Sequence, residues 1–471
     1  MKDLHMDTSI TINNGNKRVL AAAMITAFMT TFMSSALNLS VPALESYFGV
    51  SAASIGWIVS VYTITVAATS LPWGKVADMT SRRNVFLCGV GGFALLSLIS
   101  IFAANFYMLL ALRTMSGICA GMIFATNNAL LISSYPHEVQ GKVIGYSTAA
   151  TYIGLSTGPV IGGILNSAFG WRSIFAVSVI VSVAAFAAGL GAAREESRIK
   201  GNSEKHRETA QDVPGALLYM IAISLSLYGM TSLGEGGIHV ALFAAGIAAL
   251  IFFFMHERSA SSPVMRVSMF SRSRTFTFSC LAALLNYGAT FAISYSISIY
   301  LQVINGMPSS RAGLILIVMP AMQALFSPFA GSLSDRVRPA VLASIGMGIC
   351  TAALLLFSRM GTDTHIAYII GTLCLTGFGF ALFSSPNTNA ILNCVKPNEY
   401  GVANSIIATM RTYGQSSSMA IISIITTIVL GTGSLDSSPA AEIIRLLHTA
   451  FIVFTGICVV GLFFSLARDR K

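Results

Sequence analysis

Fourteen stretches of this chain are apolar for about 17 to 25 residues at a time, the length an α-helix needs to cross a bilayer core of roughly 30 Å. They lie near 20–42, 53–74, 85–104, 107–133, 143–166, 172–192, 213–233, 238–255, 276–302, 310–332, 340–358, 366–394, 402–429 and 446–467. Hydrophobic residues make up 54% of the chain and charged residues 10%, with a mean hydropathy of +0.74. That balance lies outside the range of soluble globular chains and points to an all-α, polytopic membrane protein.

The formal net charge of +10 would suit a nucleic-acid partner, but the placement of the basic residues explains it differently. With both termini in the cytoplasm, 22 of the 28 Lys and Arg fall in inner segments, four (Arg172, Arg311, Arg359, Arg445) fall outside, and two lie within spans. This asymmetry follows the positive-inside rule and fixes an even number of spans. A cytoplasmic membrane location with both ends inside is expected, the lipid bilayer is the surrounding partner, and nucleic acid is not. The polar opening residues lead into a first span that lacks a small-residue cleavage site, so it reads as a retained helix. The seven cysteines, Cys88, Cys119 and Cys280 among them, sit in apolar runs without a CxxC pair, which gives no metal site and no disulfide framework.

Two polar segments divide the apolar pattern. Residues 193–212, AREESRIKGNSEKHRETAQD, carry five basic and five acidic residues with no apolar period and read as a solvated linker. Residues 256–275 are basic with apolar residues at helical spacing, which suggests a short helix on the inner membrane surface. A repeat spans them. Gly74-Lys75-Val76-Ala77-Asp78 with Arg82 and Arg83 follows the second span, and Gly331-Ser332-Leu333-Ser334-Asp335 with Arg336 and Arg338 follows the tenth. Parallel halves of a transporter produce such duplication. The chain therefore divides into a tail (1–19), six spans (20–192), the linker, two inserted spans (213–255), the basic loop, six spans (276–467) and a final tail (468–471).

Three motifs stand out. The loop after the second span is short, so Gly74 permits close approach of two helix ends. There Asp78 either pairs with Arg82 or Arg83 or caps a neighbouring helix; with Asp335 and Arg336 in the second copy, the pair reads as a conformational latch or as ordinary solvated turns. Arg113 lies inside the fourth span, followed by Gly117 and Gly121. An arginine at membrane depth costs a few kcal/mol or more unless paired or hydrated, so it is a functional candidate unless it reaches the surface. The stretch GLSTGPVIGG places Gly154, Gly158 and Gly162 four residues apart, with Pro159 and Gly163 beside them. This forms a smooth packing ridge on a kinked helix.

Together these motifs resemble the signatures of the major facilitator superfamily, over essentially the whole chain. The third, with fourteen spans and LNLSVPAL near Pro42, is similar to its fourteen-helix drug:proton antiporter branch. The resemblance implies two six-helix bundles with a two-helix insertion, working as a monomer by alternating access. It implies secondary active export of hydrophobic or amphipathic drugs or metabolites in exchange for protons, with the glycine ridge as an antiporter-type seam, and no cofactor. Members of this branch often keep an acid in the first helix, at a position that alignment on Pro42 gives to Met33. None of the 18 Asp and Glu lies deep in a span; only Arg113 and Arg411 do, as candidates for proton or substrate coupling. An alternative is thus an organic-anion exporter or uniporter with both arginines as substrate ligands, and a third reading is a membrane sensor that transports nothing.

Polar and aromatic residues within the spans are candidates for a substrate cavity or for helix-to-helix hydrogen bonds. They are Asn38, Asn127, Asn128, Tyr152, Asn286, Tyr287, Gln323, Asn387, Asn389 and Gln415. Gly154 to Gly158 also fits GxSxG, but that nucleophile motif needs a strand-turn-helix with a His and an acid in reach, and here it lies in an apolar helix. No HExxH or carboxylate cluster appears, so no enzyme is expected.

Overall fold

The computed structural model describes residues 14–38, 40–50, 52–199, 212–231, 233, 237–430 and 439–468, and among them every regular element is a helix. The first group comprises α1 (Asn14–Asn38), α2 (Val41–Phe48), α3 (Ala52–Met79), α4 (Arg82–Ile101), α5 (Phe106–Ser134), α6 (Gln140–Phe169) and α7 (Arg172–Ile199). Then come α8 (Val213–Thr231) and α9 (Gly237–Ser259). The last group comprises α10 (Ser268–Arg272), α11 (Arg274–Thr290), α12 (Ile293–Ile299), α13 (Ser309–Leu316), α14 (Val318–Ser334), α15 (Pro339–Phe357), α16 (Ile366–Leu392), α17 (Tyr400–Leu430) and α18 (Ala440–Ala467). Eleven helical stretches among the described residues are long and apolar enough to cross a membrane. The long helices α3, α6 and α17 fall outside that set, and they carry much of the polar and glycine-rich sequence singled out above.

Several boundaries differ from the hydropathy pattern, each for a local reason. The expected ninth span is broken into α11, α12 and a π-helical turn at Tyr300–Ile304. At the first break the Ala292 N–H leaves its own helix and donates to Ser418 Oγ of α17 at 3.0 Å. The expected tenth span divides between α13 and α14, next to Pro320, which has no N–H to offer the carbonyl of Leu316. The unexpected α2 starts with a proline in its first turn and stops at Gly49, whose φ of 63° makes it a left-handed cap donating to Glu45 O. The basic loop holds one short helix, α10. Most of the 193–212 linker lies outside the described residues, as do 469–471.

The glycine-rich run of α6 packs on α1. A Cβ on Gly154 would strike Phe28 O and Thr31 Oγ1, one on Gly158 would lie 2.7 Å from Ser35 Cβ, and one on Gly162 would lie 2.6 Å from Ala36 Cβ. Pro159 sits inside this helix and Gly163 beside it, both only partly buried. Proline removes the N–H that would bond the Leu155 carbonyl, and Ser35 Oγ of α1 donates to that carbonyl at 3.1 Å. Thr31 Oγ1 does the same for Thr151 O at 2.9 Å. The helix breakers thus mark a seam whose freed backbone is satisfied by the neighbouring helix.

Helix α8 touches both groups. The Tyr219 hydroxyl donates to Ala67 O of α3 at 3.4 Å and shares a hydrogen bond with Thr409 Oγ1 of α17 at 2.7 Å. Farther along, the Trp57 and Tyr228 rings meet with centroids 4.8 Å apart, and the hydroxyls of Ser226 and Tyr413 bond each other. Arg468, placed by sequence in the final tail, is 2% exposed. Its guanidinium donates to Ser279 Oγ and Asn387 Oδ1, both at 2.8 Å, to Ala340 O at 2.6 Å and to Ser465 Oγ at 2.8 Å, joining α11, α15, α16 and α18.

The seam makes a testable coupling. Ser35→Ala should cost about 1 kcal/mol of unfolding free energy in the native background, the usual net value of one hydrogen bond. In a Pro159→Ala background residue 159 regains an N–H for Leu155 O, so the same substitution should cost almost nothing. Equal costs in the two backgrounds would refute the account.

Candidate functional site

The two copies of the repeated motif make the same contact at one end of the helix assembly. The first amides of α17 have no partners within their own helix and carry the positive end of its dipole. Asp78, at the end of α3, meets them. Its Oδ1 accepts from Gly401 N and its Oδ2 from Val402 N, both at 3.0 Å. Asp335, following α14, meets α6 likewise, accepting from Gly141 N at 2.6 Å and Lys142 N at 2.9 Å. Each carboxylate caps a helix of the other group.

The glycines make these approaches possible. A Cβ on Gly74 would collide with Ser405 Oγ and lie 2.6 Å from Gly401 O, and one on Gly331 would collide with Gly141 O. Arg82 completes the first copy: its Nε donates to Asp78 Oδ1 at 2.8 Å, its Nη2 donates to Pro397 O, and its guanidinium stands 5.3 Å from the Tyr400 ring centroid. Arg83 is not brought in, its Nε having no hydrogen-bond partner. Arg336 is exposed, and Asp335 faces backbone amides instead of it. Burial raises the pKa of Asp335 above the ordinary carboxylate value, against the pull of the Lys142 and Gly141 amides and of the nearby His137 and Lys142 charges.

Arg113 is 1% exposed, between α3 and α5. Its guanidinium lies 4.2 Å from the Tyr62 ring centroid, Nε donates to Ile58 O at 3.4 Å, and Nη2 has no partner. A cation–π contact takes the place of a carboxylate. Gly117 and Gly121 let α5 approach that closely: a Cβ on Gly117 would lie 2.8 Å from Thr65 Cβ, and one on Gly121 would collide with Thr69 Oγ1. Met33 is fully buried, its sulfur accepting from Ser178 Oγ at 3.0 Å.

A cavity lies where α1, α5, α6, α11, α16 and α17 converge, with about 650 Å³ of space between its walls including the open mouth. Of the sequence candidates, Asn127, Asn128, Tyr152, Tyr287 and Arg411 line it. Arg411 rests over the Phe124 ring at 4.8 Å. Asn128 Nδ2 donates to Asn404 Oδ1 at 3.0 Å across the two groups, and the Tyr152 and Tyr287 hydroxyls both approach Ser384 Oγ at 3.4 Å. Their rings stand edge-on to Phe380, with centroids 5.8 and 5.2 Å away.

The other candidates lie off this lining. Asn387 donates to Ser279 O and accepts from Arg468, and Asn389 bonds Ser334 and Asn393, so both tie helices together. Asn286 is fully buried, Gln323 is 3% exposed, and Gln415 is half-buried. The side chain of Asn38 lies outside the described residues. The sequence reading missed Asn404, Ser384, Thr388 and Phe124 in the cavity wall and Gly141 and Gly401 at the capped helix starts. The glycines had a signal: each is the second residue of a helix that follows a 3₁₀ turn, His137–Val139 or Pro397–Glu399. Asn404 and Phe124 had the same signal as the chosen candidates, a polar or aromatic residue within a span, whereas Ser384 and Thr388 had none, since small hydroxyl residues occur throughout the spans.

The profile of the Major Facilitator Superfamily matches residues 23–280 and 279–471. The chain is 27% identical over 456 residues to the riboflavin transporter RibZ of Clostridioides difficile, covering 96% of this chain and 97% of that protein. It is 26% identical over 419 residues to the multidrug resistance protein Stp of Mycobacterium tuberculosis, covering 87% and 76%. It is 25% identical over 413 residues to the methylenomycin A resistance protein of Bacillus subtilis, covering 86% and 87%. The crystal structure of the human organic anion transporter MFSD10 superposes with a TM-score of 0.68 at 13% identity, over 96% of this chain and 99% of that one.

The Asp335 cap carries a pH dependence of fixed sign. A capped Asp335 with a raised pKa binds a proton more tightly than the same carboxylate freed into water, so the capped contact gains as pH falls and loses as pH rises through the raised value. Spin labels at Glu138 and Val337 should report a growing population of the short distance on mild acidification. Asp335→Asn should remove that dependence; an unchanged pH response in the variant would exclude Asp335 as its source.

Proposed function

The chain belongs to the major facilitator superfamily and is a multi-pass membrane transporter, not an enzyme; from that premise we propose that it exports amphipathic drugs or metabolites in exchange for protons, by alternating access. In this reading fourteen helices, six, two and six, cross a cytoplasmic membrane with both termini inside, and the chain works as a monomer. The Lys and Arg asymmetry supports this orientation, in which the Asp78 and Asp335 latch faces the cytoplasm.

The observation that carries the mechanism is the reciprocal capping: two carboxylates hold the α3 and α17 ends, and the α14 and α6 ends, together at one pole of a polar cavity. Opening towards the cytoplasm requires all four bonds to break together, and closing restores them. That gives rocking groups two discrete states instead of a continuum. The α1–α6 seam stays within one group and keeps it rigid during the swing. Three names among the relatives, one of a riboflavin transporter and two of resistance proteins, are in keeping with a small organic substrate. The coupling site is assigned to Arg113 and Tyr62, because Met33 supplies a thioether where an acid would serve.

Flux in proteoliposomes tests the reading. With neutral, cationic and anionic amphipathic dyes, an imposed pH gradient should drive accumulation of at least one of them. Asp78→Asn, which leaves the α17 amides facing a neutral amide and costs the latch about 1 kcal/mol, should slow it severalfold, and Arg113→Ala should uncouple it from the gradient. Flux indifferent to the gradient in the native protein would remove proton antiport, and no flux above protein-free vesicles would remove transport of these dyes altogether.

A further inference from the structure

The cavity holds one ionised side chain and nothing to neutralise it. Among its described lining residues no Asp, Glu, Lys or His occurs; the polar groups are hydroxyls and amides, and the charge is Arg411. That guanidinium faces the Phe124 ring at 4.8 Å, and no described residue accepts a hydrogen bond from any of its N–H groups. An aromatic face offsets part of a cation's desolvation but leaves the planar fork of N–H donors free, and that fork matches a carboxylate or sulfonate. Arg113, one span pair away and equally without an acid, adds to the same positive field. Low-dielectric walls focus such a field on the cavity.

We infer that the cavity takes amphipathic organic monoanions, carboxylates or sulfonates on a flat apolar body, with the anionic head in the fork of Arg411 and the body against the Tyr152 and Tyr287 rings. This rests on the reading of the cavity as the substrate site, and it narrows that reading to one charge class. The head completes the charge pair that the protein leaves open, while Asn128, which gives one of its two amide hydrogens to Asn404, supplies the other. A cation entering the same space meets Arg411 and, among the described lining residues, no counter-charge, so the site discriminates against it by repulsion as well as by missing attraction.

The test uses three compounds of one shape: 2-naphthoate, 2-naphthamide and 2-naphthylmethylammonium. Binding is read from the concentration dependence of the thermal unfolding midpoint of the purified full-length protein. The carboxylate should bind at least tenfold tighter than the amide and the ammonium should be weakest. The preference should vanish in Arg411→Gln and partly return in Arg411→Lys, which keeps the charge and loses the fork. An amide or ammonium that binds as well as the carboxylate, no carboxylate-dependent shift, or a carboxylate preference that survives Arg411→Gln each overturns the assignment. Vesicle flux of 2-naphthoate separates the two levels. Arg411-dependent binding without flux sinks the export reading and leaves the anion site standing, whereas gradient-driven flux of the ammonium alone leaves export standing and sinks the anion site.

Discussion

A carboxylate at the end of one helix, accepting from the first amides of another, is the contact on which the remaining architecture turns. Asp78 and Asp335 each satisfy a helix start that cannot satisfy itself. The helices they cap belong to the other group, so the bond that completes one helix also joins the assembly. Such a contact needs backbones close enough for a short side chain to span them, which is why glycine stands at 74, 141, 331 and 401, where a Cβ would strike backbone or hydroxyl oxygens. Arg82 steadies the first cap from the side, reaching Asp78, Pro397 and the Tyr400 face together.

The same rule, that an apolar surrounding leaves no water to complete a polar group, governs the interior. Pro159 frees a carbonyl and Ser35 meets it. Arg468 enters the last helix group and finds hydroxyl, amide and carbonyl oxygens from four helices. Arg113 and Arg411 rest on aromatic faces, Tyr62 and Phe124. Among the described contacts, aromatic rings stand beside Arg113 and Arg411 where a carboxylate would otherwise be expected. Helix α8 adds a further tie, its Tyr219 reaching α3 and α17 at once, so the segment between the two groups also touches the seam along which they meet.

Much of this was legible in the chain. Apolar runs fixed where helices lie, since burial in hydrocarbon is a property of a stretch and composition reports it directly. The repeat of Gly74 to Asp78 at Gly331 to Asp335 announced two equivalent contacts, and the glycines at every fourth position announced a close seam. Local geometry was less legible: the breaks in the ninth and tenth runs depend on a hydroxyl from α17 and on the missing N–H of Pro320, neither of which alters hydropathy.

Sequence by itself determined the helical membrane class, the duplicated motif and the two arginines within apolar runs, because each is a matter of residue type along the chain. Tertiary structure decided the partners. It turned Asp335 towards α6 amides and away from Arg336, sent Arg113 to Tyr62 and Arg411 to the cavity, and split the polar candidates into the wall residues Asn127 and Asn128 and the helix ties Asn387 and Asn389. A polar side chain in a span must be satisfied somewhere, and its sequence states only the need. Which helix stands opposite, often more than a hundred residues away, determines whether that need is met by another helix or left open to a ligand.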